Sequence, residues 1–141
     1  MIDRNNPPRG VRNNNPGNLR HGSPWEGLAA AQTDSAFCTF VRDEDGLRAL
    51  AKVLLKYERD GLNTVRGILN KYAPDTENDT EGYIAHVAAR IGVAPGAPIS
   101  VKDNLEPLMR AIVDHENGRG WADHYAPATY AAAIRRAKGM A

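Results

Sequence analysis

Residues 104–118 read NLEPLMRAIVDHENG, and the spacing of their apolar residues predicts an amphipathic helix over residues 104–116 that packs on a core. The apolar positions follow one face of the helix and are Leu105, Leu108, Met109, Ile112 and Val113. The next position on that face is Glu116, after which Asn117 and Gly118 end the helix. An apolar helix face therefore ends in a carboxyl group.

Two physical effects favour the protonated form of Glu116. Partial burial disfavours the charged carboxylate, and so does the negative end of the helix macrodipole, at which this residue lies. A carboxylic acid that keeps its proton near neutral pH is what cleavage of a glycosidic bond needs as its general acid. The alternative is a glutamate at a frayed helix end that points into water.

Four more segments carry the helical spacing of apolar residues and are predicted as helices. They cover residues 47–57, 64–72, 78–92 and 127–138. The stretch FCTFV at residues 37–41 has the β-branched and aromatic content of a strand, and GNLR at residues 17–20 is its expected partner. These segments predict a mainly α (α+β) fold with a small β element near residues 17–41. The polar, Pro- and Gly-rich residues 1–11 predict a flexible N-terminal arm before a single domain over residues 12–141.

Composition excludes several function classes. The chain has 141 residues with a net charge of +1, so nothing in its overall charge points to nucleic acid or to an anionic membrane. No segment approaches the roughly 18 apolar residues of a membrane span, and the first residues lack the apolar region of a secretory signal. The single cysteine, Cys38, excludes an internal disulfide and is expected to be buried. The four histidines lack metal-site spacing, so neither a metal nor another cofactor is expected.

The stretch RNNNPGNLRHGSPWEG at residues 12–27 concentrates turn residues and side-chain amides near the start of the chain. One interpretation is a loop of fixed shape that forms a wall of a saccharide cleft. Asn15 or Asn18 would then offer amide groups to hydroxyl and N-acetyl groups, and Trp25 would supply an apolar face. The alternative is that the asparagines bond only to local backbone groups, as in Asx turns.

A second carboxylate is needed only for some glycosidase mechanisms. Hydrolases of the inverting or retaining type place two carboxyl groups about 5–9.5 Å apart. The candidates for that partner are Glu26, beside Trp25, and Glu77, just before a predicted helix. Tyr72 and Tyr83 are candidates for orienting the acid.

Four motifs carry a resemblance to a known group of proteins: NNNPGN, W-x-G, YAP-x-x-EN-x-T and HENG. Over residues 10–118 the chain resembles a family of small proteins encoded by tailed bacteriophages and prophages, often labelled virion structural proteins. More remotely, LMRAIVDHENG is similar to the catalytic helix of lysozyme-like glucosaminidases and soluble lytic transglycosylases, with Glu116 in the acid position. NPGNLRHGSPWEG and YAPDTENDTEGY are similar to segments that follow that helix in the glucosaminidases. Here the helix comes last, which implies a circularly permuted lysozyme-like domain.

The resemblance implies a peptidoglycan-cleaving muramidase of the lytic transglycosylase type, acting on glycan strands between MurNAc and GlcNAc. It implies Glu116 as general acid and base, with Asn117 beside it among the substrate-binding residues. Phage tail or virion proteins are the implied partners. Such a protein is made in the host cytoplasm and reaches the cell wall through a phage particle, a holin or a secretion machine. The alternatives are a non-catalytic virion or baseplate component that keeps saccharide binding, and a toxin delivered into a rival's periplasm.

Overall fold

Six α-helices form most of the regular structure in the computed structural model, which describes residues 2–74 and 78–140. They are α1 (Arg9–Arg12), α2 (Asp43–Arg59), α3 (Val65–Tyr72), α4 (Thr80–Ile91), α5 (Leu105–Asn117) and α6 (Pro127–Ala137). Short 3-10 helices precede α5 at Lys102–Asn104 and follow it at Trp121–His124. The predicted mainly helical class is confirmed, and each of the five predicted helices is present. The single turn α1 and the two 3-10 helices were not predicted.

Helix α5 lies at the centre of the molecule. It contacts α1, α2, α4 and α6 as well as both 3-10 helices. Its predicted apolar face is confirmed, since all five apolar residues of that face are at most 2% exposed. Burying a Leu or Ile side chain contributes about 1.5–3 kcal/mol, so this face supplies much of the packing energy that holds the helices together.

The other helices pack in pairs around α5. Helix α2 lies against α6, and α4 lies against both α3 and α5. The predicted inward face of α4 is confirmed by Tyr83, Ile84 and Val87, each of them buried. This helix begins at an N-cap, Asp79, whose carboxylate accepts from the Gly82 amide at 3.2 Å, and it ends at Gly92 with φ of 76°.

The segment between α1 and α2 forms a small lobe with its own core. Its buried apolar residues are Leu19, Cys38 and Phe40, together with Ala49 of α2. The predicted β element appears as two isolated antiparallel bridges, Arg20 with Phe37 and Leu28 with Phe40.

No continuous strand forms in this lobe among the described residues, because residues 38–41 divide their backbone hydrogen bonds among three segments. The Cys38 amide donates to the Leu19 carbonyl, the Phe40 amide to Asn13 and the Val41 amide to Gly27, each at 2.9 Å. The predicted hairpin is therefore reduced to these local pairings. The predicted burial of Cys38 is confirmed at 1% exposure.

The first residues of the described chain contact the helical core. Ile2 is partly buried against the main cluster of apolar side chains, and Gly10 in α1 is buried. The flexibility of residues 1–11 stays a prediction. Within residues 2–74 and 78–140, every helix is too short or too polar to cross a lipid bilayer.

The lobe and α2 meet so closely that one α2 residue must lack a side chain. A Cβ atom at Gly46 would lie 1.9 Å from the Asn14 carbonyl oxygen, well inside van der Waals contact. Gly46→Ala is therefore expected to lower the free energy of unfolding by about 1–3 kcal/mol, as overpacking does. The matched control is Gly96→Ala, where an added Cβ meets nothing within 4 Å. Urea denaturation of both variants tests this, and equal stability would contradict the close approach.

Candidate active site

A cleft of about 380 Å³ lies between the small lobe and the helices. It brings together four of the residues predicted from the sequence, namely Asn18, Trp25, Tyr72 and Glu116. The other lining residues are Gly17, Leu19, Arg20, Ser23, Phe37, Val53, Tyr57, Lys71, Ala73, Pro74 and Asn78. The lining combines apolar and aromatic side chains with a few polar groups, as ligand sites commonly do.

Both oxygens of the Glu116 carboxyl group accept a hydrogen bond from another part of the chain. The Asn18 side-chain amide donates from Nδ2 to Oε1 at 2.9 Å, and the Tyr83 hydroxyl donates to Oε2 at 2.8 Å. Burial raises the pKa of Glu116 above its usual range, although these two hydrogen bonds and the positive charge of Arg20 act in the opposite direction. The carboxyl group therefore keeps its proton to a higher pH than an exposed glutamate does.

Tyr83 reaches Glu116 from α4 and is itself only 1% exposed. Its ring stacks on His115 with centroids 3.7 Å apart and planes inclined by 18°. Burial, followed by the negative charge of Glu116, raises the pKa of Tyr83 well above 10. The hydroxyl therefore stays protonated and remains a donor to Glu116.

Tyr72, the second predicted tyrosine, lies on the cleft wall at the end of α3. Its hydroxyl donates to the Gly17 carbonyl oxygen, which ties α3 to the asparagine-rich loop. Burial raises the pKa of Tyr72 well above 10, and the next contribution is the charge of Glu116. Tyr72 therefore shares the electrostatic environment of the acid and fixes the loop beside it.

The asparagines of the loop have separate structural roles. Asn14 and Asn18 adopt positive φ angles of 52° and 51°, a conformation that asparagine tolerates better than most residues. Asn15 is fully buried, and its side chain bonds to both the amide and the carbonyl of Leu19 and to the carbonyl of Cys38 at 2.9–3.0 Å. Asn18 alone of these three lines the cleft.

Asn117 fastens the last turn of α5 to the same loop. Its Nδ2 donates to the Pro16 carbonyl at 2.7 Å and to the Val113 carbonyl at 2.9 Å. The amide groups of Asn15 and Asn117, both predicted to bind substrate, are thus engaged with the main chain, and neither residue lines the cleft. From the predicted substrate-binding set, the structure brings Asn18 and Trp25 to the cleft.

The two candidates for a second carboxylate differ in what the structure says of them. Glu26 is exposed and pairs with Arg48 at 3.4 Å and Arg136 at 3.0 Å, outside the lining of the cleft. Glu77 lies outside the described residues. Among the described residues that line the cleft, Glu116 is the only one with a carboxyl group.

Gly10, which sequence reasoning assigned to the flexible arm, lies against two asparagines of the site. A Cβ atom there would lie 2.5 Å from Asn117 Oδ1 and 2.7 Å from Asn18 Oδ1. Any side chain at this position would displace the two asparagines that flank Glu116. No periodicity or motif marks such a glycine, because its role depends on contacts with residues distant in sequence.

Asp114 is a second residue that sequence reasoning missed. It is 5% exposed, and its Oδ1 accepts from the backbone amides of Gly120 at 3.2 Å and Ala122 at 2.7 Å. Its other oxygen pairs with Arg90 of α4 at 2.5 Å. These bonds fix the C-terminal end of α5, and with it the position of Glu116. The sequence feature that could have indicated its burial is that Asp114 directly follows Val113, the last apolar residue of the α5 face.

Comparison with known proteins places the chain among phage proteins. It is 37% identical over 115 residues to Protein P5 of Pseudoalteromonas phage PM2, an alignment that covers 78% of this chain and 71% of the relative. The chain belongs to the Protein P5 family. No protein-family model matches it. The predicted link to phage proteins is confirmed at this level, and the chemistry of this P5-family chain has to be argued from its site.

Asn15 is expected to be a stability residue in this P5-family chain. Asn15→Ala removes three buried hydrogen bonds and leaves main-chain groups of Leu19 and Cys38 unsatisfied, which lowers the free energy of unfolding by roughly 2–4 kcal/mol. Asn5→Ala, at an exposed position, is the control and leaves stability unchanged. Denaturant unfolding of both variants is the measurement. A stable Asn15→Ala protein would show that the loop does not depend on this side chain.

The raised pKa of Glu116 also has a consequence for stability. Between the pKa values of the unfolded and folded states the folded protein binds more protons, so its free energy of unfolding falls as the pH rises through that window. Glu116→Gln removes this loss. We expect the variant to gain stability relative to the wild type at neutral pH, and the gain to vanish below the ordinary glutamate pKa of about 4.3.

Thermal unfolding across a pH series measures this difference. Glu106→Gln is the matched control on the same helix, where the carboxylate is paired with Arg110 at 3.0 Å. It is expected to show no gain at neutral pH. If Glu116→Gln instead becomes less stable than the wild type as the pH rises, the hydrogen bonds to Glu116 outweigh its burial. The carboxylate would then be the form that the folded protein favours.

Proposed function

We propose that this chain is a peptidoglycan-cleaving muramidase of the lytic transglycosylase type, associated with a phage or prophage. The observation that carries the proposal is a single partly buried carboxyl group with a raised pKa, Glu116, in the lining of a cleft that also contains Trp25 and Tyr57. An acid whose pKa is raised, beside apolar and aromatic surface, suits proton donation to a glycosidic oxygen. The bond to be cleaved is the one between MurNAc and GlcNAc.

The first step would be protonation of the leaving group. Each Glu116 oxygen accepts one hydrogen bond, and an oxygen of a carboxyl group has a second lone-pair position. The proton held there passes to the glycosidic oxygen as the C1–O bond breaks and positive charge develops at the sugar ring. Asn18 and Tyr83 then stabilise the carboxylate that remains, because both donate to it.

The second step would use the same group as a base. The Glu116 carboxylate takes the proton of the C6 hydroxyl of the MurNAc residue while that oxygen attacks C1, which forms the 1,6-anhydro ring and restores the acid. No water and no second carboxylate take part. This agrees with a lining in which Glu116 is the only carboxyl group among the described residues. A hydrolase would require a partner such as Glu26, which lies outside the lining, or Glu77.

The proposal includes the lysozyme-like character of the domain. The features that support it are a central amphipathic helix ending in the acid, a small lobe on the other side of the cleft and helices packed around α5. In this interpretation circular permutation places the catalytic helix after the loop, the lobe and helices α2–α4 in sequence, and α6 follows it. Contact between α1 and α5 brings the segment that precedes the loop next to the catalytic helix, so a chain break between the end of that helix and the loop is compatible with the packing.

A second candidate function is a non-catalytic virion component that retains a saccharide cleft. The observation that favours it is that both Glu116 oxygens are occupied by Asn18 and Tyr83, so the glutamate also connects three segments of the fold. The family relative is a phage protein, which is compatible with either function. The two candidates differ in whether Glu116 is needed for chemistry.

Digestion of purified peptidoglycan, with mass spectrometry of the products, tests the proposal. The wild type and the control variant Glu106→Gln are expected to release 1,6-anhydro-muropeptides, and Glu116→Gln is expected to lose at least about 100-fold in rate, as removal of general acid catalysis does. Reducing-end MurNAc products would indicate a hydrolase. Full activity of Glu116→Gln would exclude it as the acid, and binding without any product would favour the virion component.

The variant Tyr83→Phe refines the same experiment. It keeps the buried ring and removes the hydroxyl that donates to Glu116, a bond that lowers the pKa of the acid. The alkaline limb of the pH–rate profile is therefore expected to move to higher pH. A profile that does not move would mean that the Tyr83 hydroxyl does not tune the acid.

A further inference from the structure

Two histidines contact each other beside Tyr83 and outside the lining of the cleft. His86 of α4 and His115 of α5 place their Nδ1 atoms 2.8 Å apart, with the ring planes inclined by 46°. Both residues are exposed, and neither lines the cleft. The pair plays no part in the proposed bond cleavage.

We propose that His86 and His115 form a binding site for a divalent late transition-metal ion of the nickel or copper type. Metal–nitrogen bonds of about 2.0–2.1 Å at a right angle place two imidazole nitrogens about 2.8–3.0 Å apart, whereas a tetrahedral angle needs about 3.3–3.4 Å. The observed 2.8 Å fits adjacent positions of a square or octahedral site. Imidazole suits Ni²⁺ and Cu²⁺, and Cu²⁺ leads the general order of affinity.

The two ligands are held in place before any ion binds. His115 stacks on the buried ring of Tyr83 at 3.7 Å, which restrains its orientation. His86 lies on α4, which packs directly against α5. Since both rings lie on packed helices, binding needs little ordering of flexible side chains, a cost that weakens many two-ligand sites.

Charged groups of both signs lie near the two rings, and the exposed position leaves room for water. Burial, followed by the neighbouring His86, lowers the pKa of His115, and the negative charge of Asp79 acts in the opposite direction. The nearest described cation along α4, Arg90, is neutralised by its ion pair with Asp114. Among the described residues, no group of three or more His, Cys, Asp or Glu side chains is placed to hold a metal, so solvent would complete the coordination of this two-histidine site. Its affinity is expected to be modest.

The proposal is independent of the proposed activity, because the site lies outside the cleft. A bound ion would hold His115 against Tyr83, whose hydroxyl donates to Glu116. The metal site and the acid are thus joined by one side chain, although the ion itself does not reach the cleft.

The test is a titration of the untagged protein with NiCl₂, followed by calorimetry and by broadening of backbone amide signals in ¹H–¹⁵N NMR spectra. The expected result is one site per chain, with broadening centred on the amides around residues 86 and 115. His86→Gln is expected to weaken binding by at least about tenfold, because chelation by two placed rings becomes binding by one. ZnCl₂, which prefers the wider tetrahedral angle, is expected to bind less tightly than NiCl₂.

His124→Gln is the matched control, since His124 is also exposed but contacts Trp121 and Tyr125 instead of another histidine. It is expected to bind Ni²⁺ as the wild type does. His115→Gln is expected to weaken Ni²⁺ binding as much as His86→Gln does. If the loss of stacking on Tyr83 impairs the folding of His115→Gln, the result for the exposed His86→Gln tests the proposal by itself. Broadening centred elsewhere, or affinity unchanged in His86→Gln, would overturn the proposal and leave the pair as a simple hydrogen bond between two neutral rings.

Discussion

A partly buried carboxyl group at the C-terminal end of a helix needs hydrogen-bond donors, and the helix itself supplies none there. In this chain the donors for Glu116 come from Asn18 in the loop and Tyr83 on α4. Meeting that one requirement brings the loop, α4 and α5 to a common point. The bond from Asn117 to the Pro16 carbonyl repeats the connection one residue further along. The arrangement of the lobe, the helices and the cleft between them therefore depends on the hydrogen bonds made at the C-terminal end of α5.

Periodicity was sufficient to predict the parts of the site that lie on helices. The apolar stripe of α5 placed Glu116 at its end, and the inward face of α4 included Tyr83. Their contact with each other was not predictable in this way, because it depends on the packing of two helices. The structure of the loop was even harder to predict from the sequence. Asn15 and Asn18 have the same side chain, yet one is fully buried against main-chain groups and the other reaches the cleft. The difference depends on where the folded loop places each residue, which residue type alone does not fix.

Predictions from amino-acid composition fell short where contacts between individual atoms determine the structure. Residues 1–11 are polar and rich in Pro and Gly, which is typical of a mobile segment. Gly10 is nevertheless buried against the side chains of Asn18 and Asn117, since the missing Cβ lets the backbone approach them. The strand prediction fell short for a related reason. FCTFV has strand-forming residues, but a strand also needs one continuous partner, and the backbone of residues 38–41 bonds to three separate segments.

The sign of the pKa shift at Glu116 connects this architecture to chemistry. Burial disfavours the charge, whereas two donors and Arg20 favour it, and burial outweighs them. If the donors prevailed, Glu116 would be a permanent anion with a purely structural role between loop and helices. Because burial prevails, the group holds its proton to a higher pH than an exposed glutamate does, while the donors needed to stabilise its conjugate base are already in position. That combination lowers the reorganisation required when a proton leaves, and it is the physical basis on which the proposed general acid and base role rests.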